Sequence, residues 1–224
     1  MKLMLPTLTI SAALMASSAF AGDMGLDQSL LNYQHQWAHI NYELPDAQKS
    51  DAFAALAKAE ESLVKQYPDR AEPLVWQGII LSSQAGAEGG FSALGLAKDA
   101  RNQLLAAEKI NPTALSGSID TSLGTLYFKV PGWPLGFGDD DKAETYLKEA
   151  LKINPKGIDP NYFYGEFLYG KGKYQAAMQA LETAQAAAPR PDRPLADKGR
   201  HQEIQALISK IRSEHSDALV AKKS

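Results

Sequence analysis

The chain contains no cysteine. That absence excludes a disulfide framework, a cysteine nucleophile, an iron–sulfur cluster and a thiolate zinc site. It has no surplus of positive charge: 23 Lys and Arg stand against 26 Asp and Glu, for a formal net charge of −3. Neither a nucleic-acid footprint nor a polybasic membrane patch is expected from that balance. Past the N-terminus no segment is apolar enough to span a bilayer, so no membrane insertion is expected. There is no G-x-S-x-G, Walker A, dinucleotide glycine fingerprint or H-E-x-x-H string. Disorder is excluded as well, because 45% of the 224 residues are hydrophobic and only 22% charged. A chain of this size buries a core without staples, as one domain or two small ones.

What is present begins with an address. Lys2 precedes an apolar stretch from Leu3 to Met15, and small residues follow to Ala19-Phe20-Ala21. This pattern reads as a secretory signal peptide over 1–21 with an A-x-A cleavage site. A membrane anchor or buried helix would need a longer run, and Pro6 disturbs a long helix. No cysteine follows to carry a lipid. The expectation is a soluble periplasmic protein, not a lipoprotein.

Internal repeats dominate the rest. Tyr67-Pro68, Asn111-Pro112, Asn154-Pro155 and Ala188-Pro189 punctuate the chain, with proline intervals of 44, 43 and 34 residues. Before three of these prolines runs the same string, A-x3-L-x2-A-x4-P: Ala100, Leu104, Ala107, Pro112; Ala143, Leu147, Ala150, Pro155; and Ala177, Leu181, Ala184, Pro189. Ala52, Leu56 and Ala59 keep the spacing in a first, weaker unit, where Pro68 arrives a helical turn late. Gly78, Gly124 and Gly165 mark the earlier helix of the last three units; the first unit, with its opening helix at 28–42, has no glycine there. Small residues at these points let two antiparallel helices approach, leucine fills the gap, and proline ends the second helix.

These positions resemble the tetratricopeptide repeat family, whose period is about 34 residues, over roughly residues 28 to 191. The resemblance implies an all-α, right-handed α-solenoid of about four helix pairs in a repeat domain over 22–194. A capping helix and tail over 195–224 would present Ile204, Leu207, Ile208 and Ile211 on its apolar face, with its other face polar.

The two halves are ten residues too far apart in the second unit and seven in the third, so both units hold an insertion on one edge of the superhelix. The first, over 84–95, reads as a glycine-rich loop that Phe91 and Leu94 would pin to the body. The second, over 130–141, is apolar for a loop and carries Trp133 and Phe137. Either both tuck against neighbouring helices or both line a binding surface. Asp139 to Asp141 lack the ligand alternation of an EF-hand and fit a helix N-terminus instead.

Around this insertion, Tyr127-Phe128-Lys129-Val130-Pro131, Gly136-Phe137-Gly138-Asp139 and Lys142-Ala143 look like the T-component of tripartite periplasmic (TRAP) transporters. That resemblance, over about residues 75 to 210, implies an accessory protein associated with a substrate-binding subunit, binding or relaying a small organic solute.

By the family geometry, the first helices line a concave groove. Trp37 and Asn41, Val75 and Ile79, Thr121, Thr125 and Phe128, and Tyr162, Glu166 and Tyr169 would face it, each aromatic having burial between units as its alternative. The groove is aromatic and poor in cations, suited to a peptide, a protein helix or an apolar small molecule. The expected partner is a protein, from an envelope complex or a solute-binding protein, with a small organic ligand as the alternative. No nucleic acid, cofactor or metal is expected. His35 and His39, with Glu43 a turn on, could face one metal, but exposed helix histidines are the commoner explanation for such a pair. Glu60, Glu61 and Glu166 read as solvated, and no catalytic residue stands out.

Overall fold

Helix pairs fill the described part of the chain, which in this computed structural model is residues 13–220, with side chains described for 24–219. The first pair is α1 (Ala13–Glu43) and α2 (Asp46–Gln66), and the second is α3 (Ala71–Glu88) and α4 (Ser92–Ile110). The third is α5 (Ser118–Lys129) and α6 (Asp140–Ile153), and the fourth α7 (Ile158–Gly170) and α8 (Tyr174–Gln185). α9 (Pro194–Glu214) and the short α10 (Ser216–Val220) follow. Among the described residues there is no strand, only a bridge between Gly132 and Gly138. The architecture is an all-α helical-repeat solenoid. Of the expected leader, 1–12 lie outside the described residues and 13–21 are described as backbone alone.

Three glycines make one recurring contact. A Cβ on Gly78 would fall 2.6 Å from Leu104 Cγ, on Gly124 2.7 Å from Leu147 Cγ, and on Gly165 2.9 Å from Leu181 Cγ. The nearest carbonyls are those of Ala100, Ala143 and Ala177, the first alanine of each string. The glycine-to-leucine interval shortens from 26 to 23 to 16 residues while the contact stays the same, so the extra residues are absorbed between the helices of a pair. Gly165→Leu should therefore drive α7 and α8 apart. Overpacking of this kind costs about 1–3 kcal/mol or more, and a lowered circular dichroism melting temperature checks it; an unchanged melt would show that the helices do not meet at Gly165.

The first pair departs from the string. Ala59 is exposed and Ala52 half-buried, whereas Phe53, Ala57 and Glu60 are buried. The register sits one residue later than the spacing suggests, which puts Glu60, read from sequence as solvated, where the other units place Ala107, Ala150 and Ala184.

The first insertion is also different from its reading. Its residues extend α3 and α4, leaving only Gly89, Gly90 and Phe91 between them. Gly89 and Gly90 take positive φ (67° and 64°), which glycine adopts without steric cost. Phe91 pins nothing, being 81% exposed. The second insertion is a true loop. Asp139 donates its N–H to Tyr127 O (2.9 Å), Gly138 to Pro131 O (2.9 Å), and the Asp139 carboxylate caps α6 by accepting from Lys142 N (3.0 Å).

α9 does more than cap. Ile204, Ile208 and Ile211 join the core formed with α7 and α8. Its N-terminal turns, through Ala196 and the half-buried Leu195, join the core of α1 and α2. Gly199 meets α1 so closely that a Cβ there would collide with the Tyr42 ring. The face expected to be polar is thus spent on the first helix, and the last helix closes the solenoid onto its start. The helix also stops at Glu214, with His215 between α9 and α10.

Candidate functional site

An ion-pair network fastens this closure. Asp159, in the first turn of α7, accepts from Arg190 Nη1 (2.6 Å) and Arg200 Nε (2.8 Å). Arg190 also donates to Asp197 Oδ1 (2.6 Å), and Arg200 to Glu203 Oε2 (2.7 Å). Tyr42 of α1 donates to the same Glu203 oxygen (3.3 Å). Arg200 lies 4.5 Å over the rings of both Tyr162 and Phe163. Burial alone would raise the Asp159 pKa, but Arg200 and Arg190 outweigh it and hold the carboxyl far below the usual range. Burial pushes Glu203 up against the pull of Arg200.

Inside the closure lies a cavity of about 2000 Å³, open to solvent. Its wall takes residues from α1, α3, α5 and α7, and from the turns leading into α9. Along α3 the lining runs from Trp76 through Ile79 and Ser83 to Gly86, and along α5 from Ser118 to Lys129. Ala93, Leu94 and Leu135 bring both insertions to it. Many of the wall's hydroxyls spend their protons on their own helices. Ser82 donates to Gly78 O, Ser83 to Ile79 O, Thr121 to Gly117 O and Thr125 to Thr121 O, at 2.7–2.9 Å. That stretch of α3 and α5 behaves as a weakly polar surface that offers acceptors, while Lys129, Lys156, Asp159, Glu182 and the arginines before and on α9 bring charge to the rest of the wall. The turn before α5 also lines it, with Leu115 and Ser116 in left-handed backbone (φ 51° and 52°), a strained conformation that persists only when its surroundings hold it.

Of the residues carried over from an open groove, Trp37, Ile79, Thr121 and Thr125 are on the cavity wall. Trp37 donates its indole N–H to Ser83 Oγ (2.8 Å). The others sit elsewhere. Val75 is fully buried in the core, and Asn41 does not reach the lining. Phe128 packs edge-on to Phe167 at 5.3 Å. Tyr162 lies beneath Arg200, Glu166 pairs with Lys129, and Tyr169 rests against Tyr174 and His215. The reason is α9. Laid across α7, it covers the stripe an open superhelix would expose and leaves Asp159, Pro160 and Phe163 to face the cavity. Sequence reasoning missed these three with Arg190, Arg193 and Arg200; the cations of 190–200 were legible only as a stiff turn and a polar helix.

Trp133 and Phe137 part company. Phe137 packs at 5.6 Å on Tyr127 with Arg101 4.1 Å over its ring, while Trp133 is 89% exposed. Phe137→Ala should cost about 2–3 kcal/mol in denaturant titrations, and Trp133→Ala less than about 0.5 kcal/mol. Equal losses would mean that Trp133 packs too. The two histidines have separate partners: His35 Nε2 lies 2.6 Å from Asp192 O, in the turn before α9, and His39 Nδ1 2.7 Å from Glu43 Oε2, one turn along α1. Among the described residues no helix is long and apolar enough to cross a membrane.

Residues 135–198 match the family model of the tetratricopeptide repeat. The match runs from the second insertion to the start of α9, and the recurring glycine contact extends the same packing back through α3. That stretch carries the tetratricopeptide repeat pattern, and the fold around it is a tetratricopeptide-like helical-repeat solenoid. No curated protein matches the chain.

Proposed function

We propose that the chain is an exported, non-enzymatic binding protein that holds a small organic molecule in the cavity between its helix pairs and α9. The observation that carries this reading is the docking of α9 on α1, which turns an open repeat groove into a closed-sided cavity of about 2000 Å³. Small-molecule sites are concave and mostly apolar with a few placed polar groups, and this wall has that character. The leader pattern supports export to the periplasm, and the likeness of 127–143 to the TRAP T-component supports a role in relaying a solute.

A second reading, a protein partner, is favoured by the two insertions, both of which reach the cavity rim. Phe91, Trp133 and Leu135 are 81%, 89% and 62% exposed in them, and exposed aromatic side chains are the kind that anchors protein interfaces. The two readings are compatible, since a solute-binding protein or envelope complex docked on the insertions would sit beside the cavity.

Native mass spectrometry of the mature protein, purified gently from its own compartment, tests both. A retained small-molecule mass supports the cavity reading. A retained protein lost on Trp133→Ala, with no small molecule, replaces it with the partner reading; a chain that carries neither at any stage overturns both.

A further inference from the structure

The network around the start of α9 leaves one guanidinium without a hydrogen-bonded partner. Arg190 and Arg200 share Asp159, and each has a second carboxylate, Asp197 and Glu203. Arg193, which caps the start of α9, makes no side-chain hydrogen bond or ion pair among the described residues, and its Nε is buried without an acceptor. Burial, then the charge of Arg190, lowers its pKa against the opposing pull of Asp159 and Asp197, and a guanidinium stays charged at any physiological pH. Its Cζ lies 5.2 Å from the centre of the Trp76 ring. The Trp76 Nε1–H is a second buried donor with no acceptor. Both residues line the cavity.

Buried donors in native proteins find acceptors. Here two lie side by side, one on a full positive charge. The neighbouring wall hydroxyls, already bound to their own helices, offer no proton of their own to an anion. We propose that Arg193 and Trp76 anchor the carboxylate of an organic acid whose apolar body lies along α3 within the cavity. This rests on the small-molecule reading above. The chemistry matches the donors: a guanidinium pairs with carboxylate in a planar, charge-assisted contact, and a nearby indole N–H supplies one more donor. Asp159 and Asp197 act on Arg193 through space, but their hydrogen bonds go to Arg190 and Arg200, which leaves the Arg193 donors for a ligand. The cavity fits the body. From Trp76 the wall continues down α3 to Gly86, about 15 Å at 1.5 Å per residue, past Ile79 and Ala85 and opposite Leu94 and Leu126.

Isothermal titration of the mature chain with decanoate and with 1-decanol, probes of equal chain length that differ in the head group, separates the anchor from the cavity. Decanoate should bind at least tenfold more tightly. Arg193→Gln should bring it down to the level of 1-decanol and leave 1-decanol unchanged. Trp76→Phe should lose a few-fold of the preference, and Arg193→Lys should keep part of it, which guards against a folding defect in the glutamine variant. Equal affinity for both probes in the unmodified chain, or a preference that survives Arg193→Gln, would overturn the anchor and leave the cavity reading standing. Binding of neither probe would overturn both.

Discussion

Thermal and urea melts should show stability falling as pH rises from about 5 to 9, and one carboxyl group, Glu60, should account for most of the slope. Glu60 is fully buried in the face of α2 that meets α3. With the Gln77 amide turned so that its nitrogen faces α2, that nitrogen donates to Glu60 Oε2 and to Ala57 O (3.2 Å); Glu60 Oε1 has no partner among the described residues. Burial pushes the Glu60 pKa up to about 9. The folded chain therefore holds this proton more tightly than the unfolded chain, whose glutamates titrate near pH ~4.3. A group with a raised folded pKa contributes its full stability below the unfolded value and loses it as pH climbs to the folded one. Within that window each pH unit lowers the folding constant by up to about tenfold. Asp120, raised to about 6 by burial, then by Glu108 and Glu149, adds the same sign over a narrower acidic range. Asp159 has the opposite sign, since its depressed carboxyl withdraws stability only in strong acid.

Glu60→Gln should flatten the slope above pH 6. Glu60→Ala installs the residue the other units use at this position. It should be more stable than the parent at pH 8 and less stable at pH 5, where the neutral carboxyl still fills its space and accepts from Gln77. Parallel pH profiles for the parent and Glu60→Gln would show that Glu60 ionises freely in the folded chain.

Glu60 also shows where the sequence was readable and where it was not. The glycine, alanine and leucine positions of the last three units report a local requirement, two helices approaching within one pair, and local spacing is what a sequence displays. The first pair satisfies the same geometry with Phe53, Ala57 and Glu60, so a pattern built on small residues locks onto Ala52 and Ala59, one residue early. Insertion length was legible as an excess of ten and seven residues, but not its form. The second insertion, rich in proline and glycine, stays a loop, while the alanine-rich flanks of the first wind into α3 and α4. The cavity was least legible. Its shape depends on α9 meeting α1, a contact between residues more than 150 positions apart. Asp159, Tyr42 and Arg200 carry no mutual signal in a linear chain, and the open-groove geometry placed Tyr162, Glu166 and Tyr169 on a face that this contact covers.

Asp159→Ala should undo that contact, at a cost of about 2–3 kcal/mol, short of the full penalty for breaking a buried ion pair because the Asp159 side chain stays 29% exposed. The carboxylate joins α7 to the turn before α9 through Arg190, and to α9 itself through Arg200. By way of Glu203 and Tyr42 it reaches α1. Without it, Arg200, whose side chain is 8% exposed, retains only Glu203, whose own charged form burial already disfavours. The loss should be local before it is global. Hydrogen exchange should speed up in α9 and in the last turns of α1, while α5 and α6, which take no part in the network, keep their protection. Emission from Trp37 and Trp76, both on the cavity wall, should shift to the red as the wall opens. Asp159→Asn combined with Arg200→Met removes both charges at once and should recover most of the stability, because the penalty lies in the stranded charge rather than in the missing bond. If Asp159→Ala stays within about 1 kcal/mol of the parent and leaves α1 as protected as before, the packing of Gly199 and Ala196 on α1 holds the ring by itself. The ion pairs would then serve to orient the arginines around the cavity, and the closure would be an apolar contact that salt and pH do not reach.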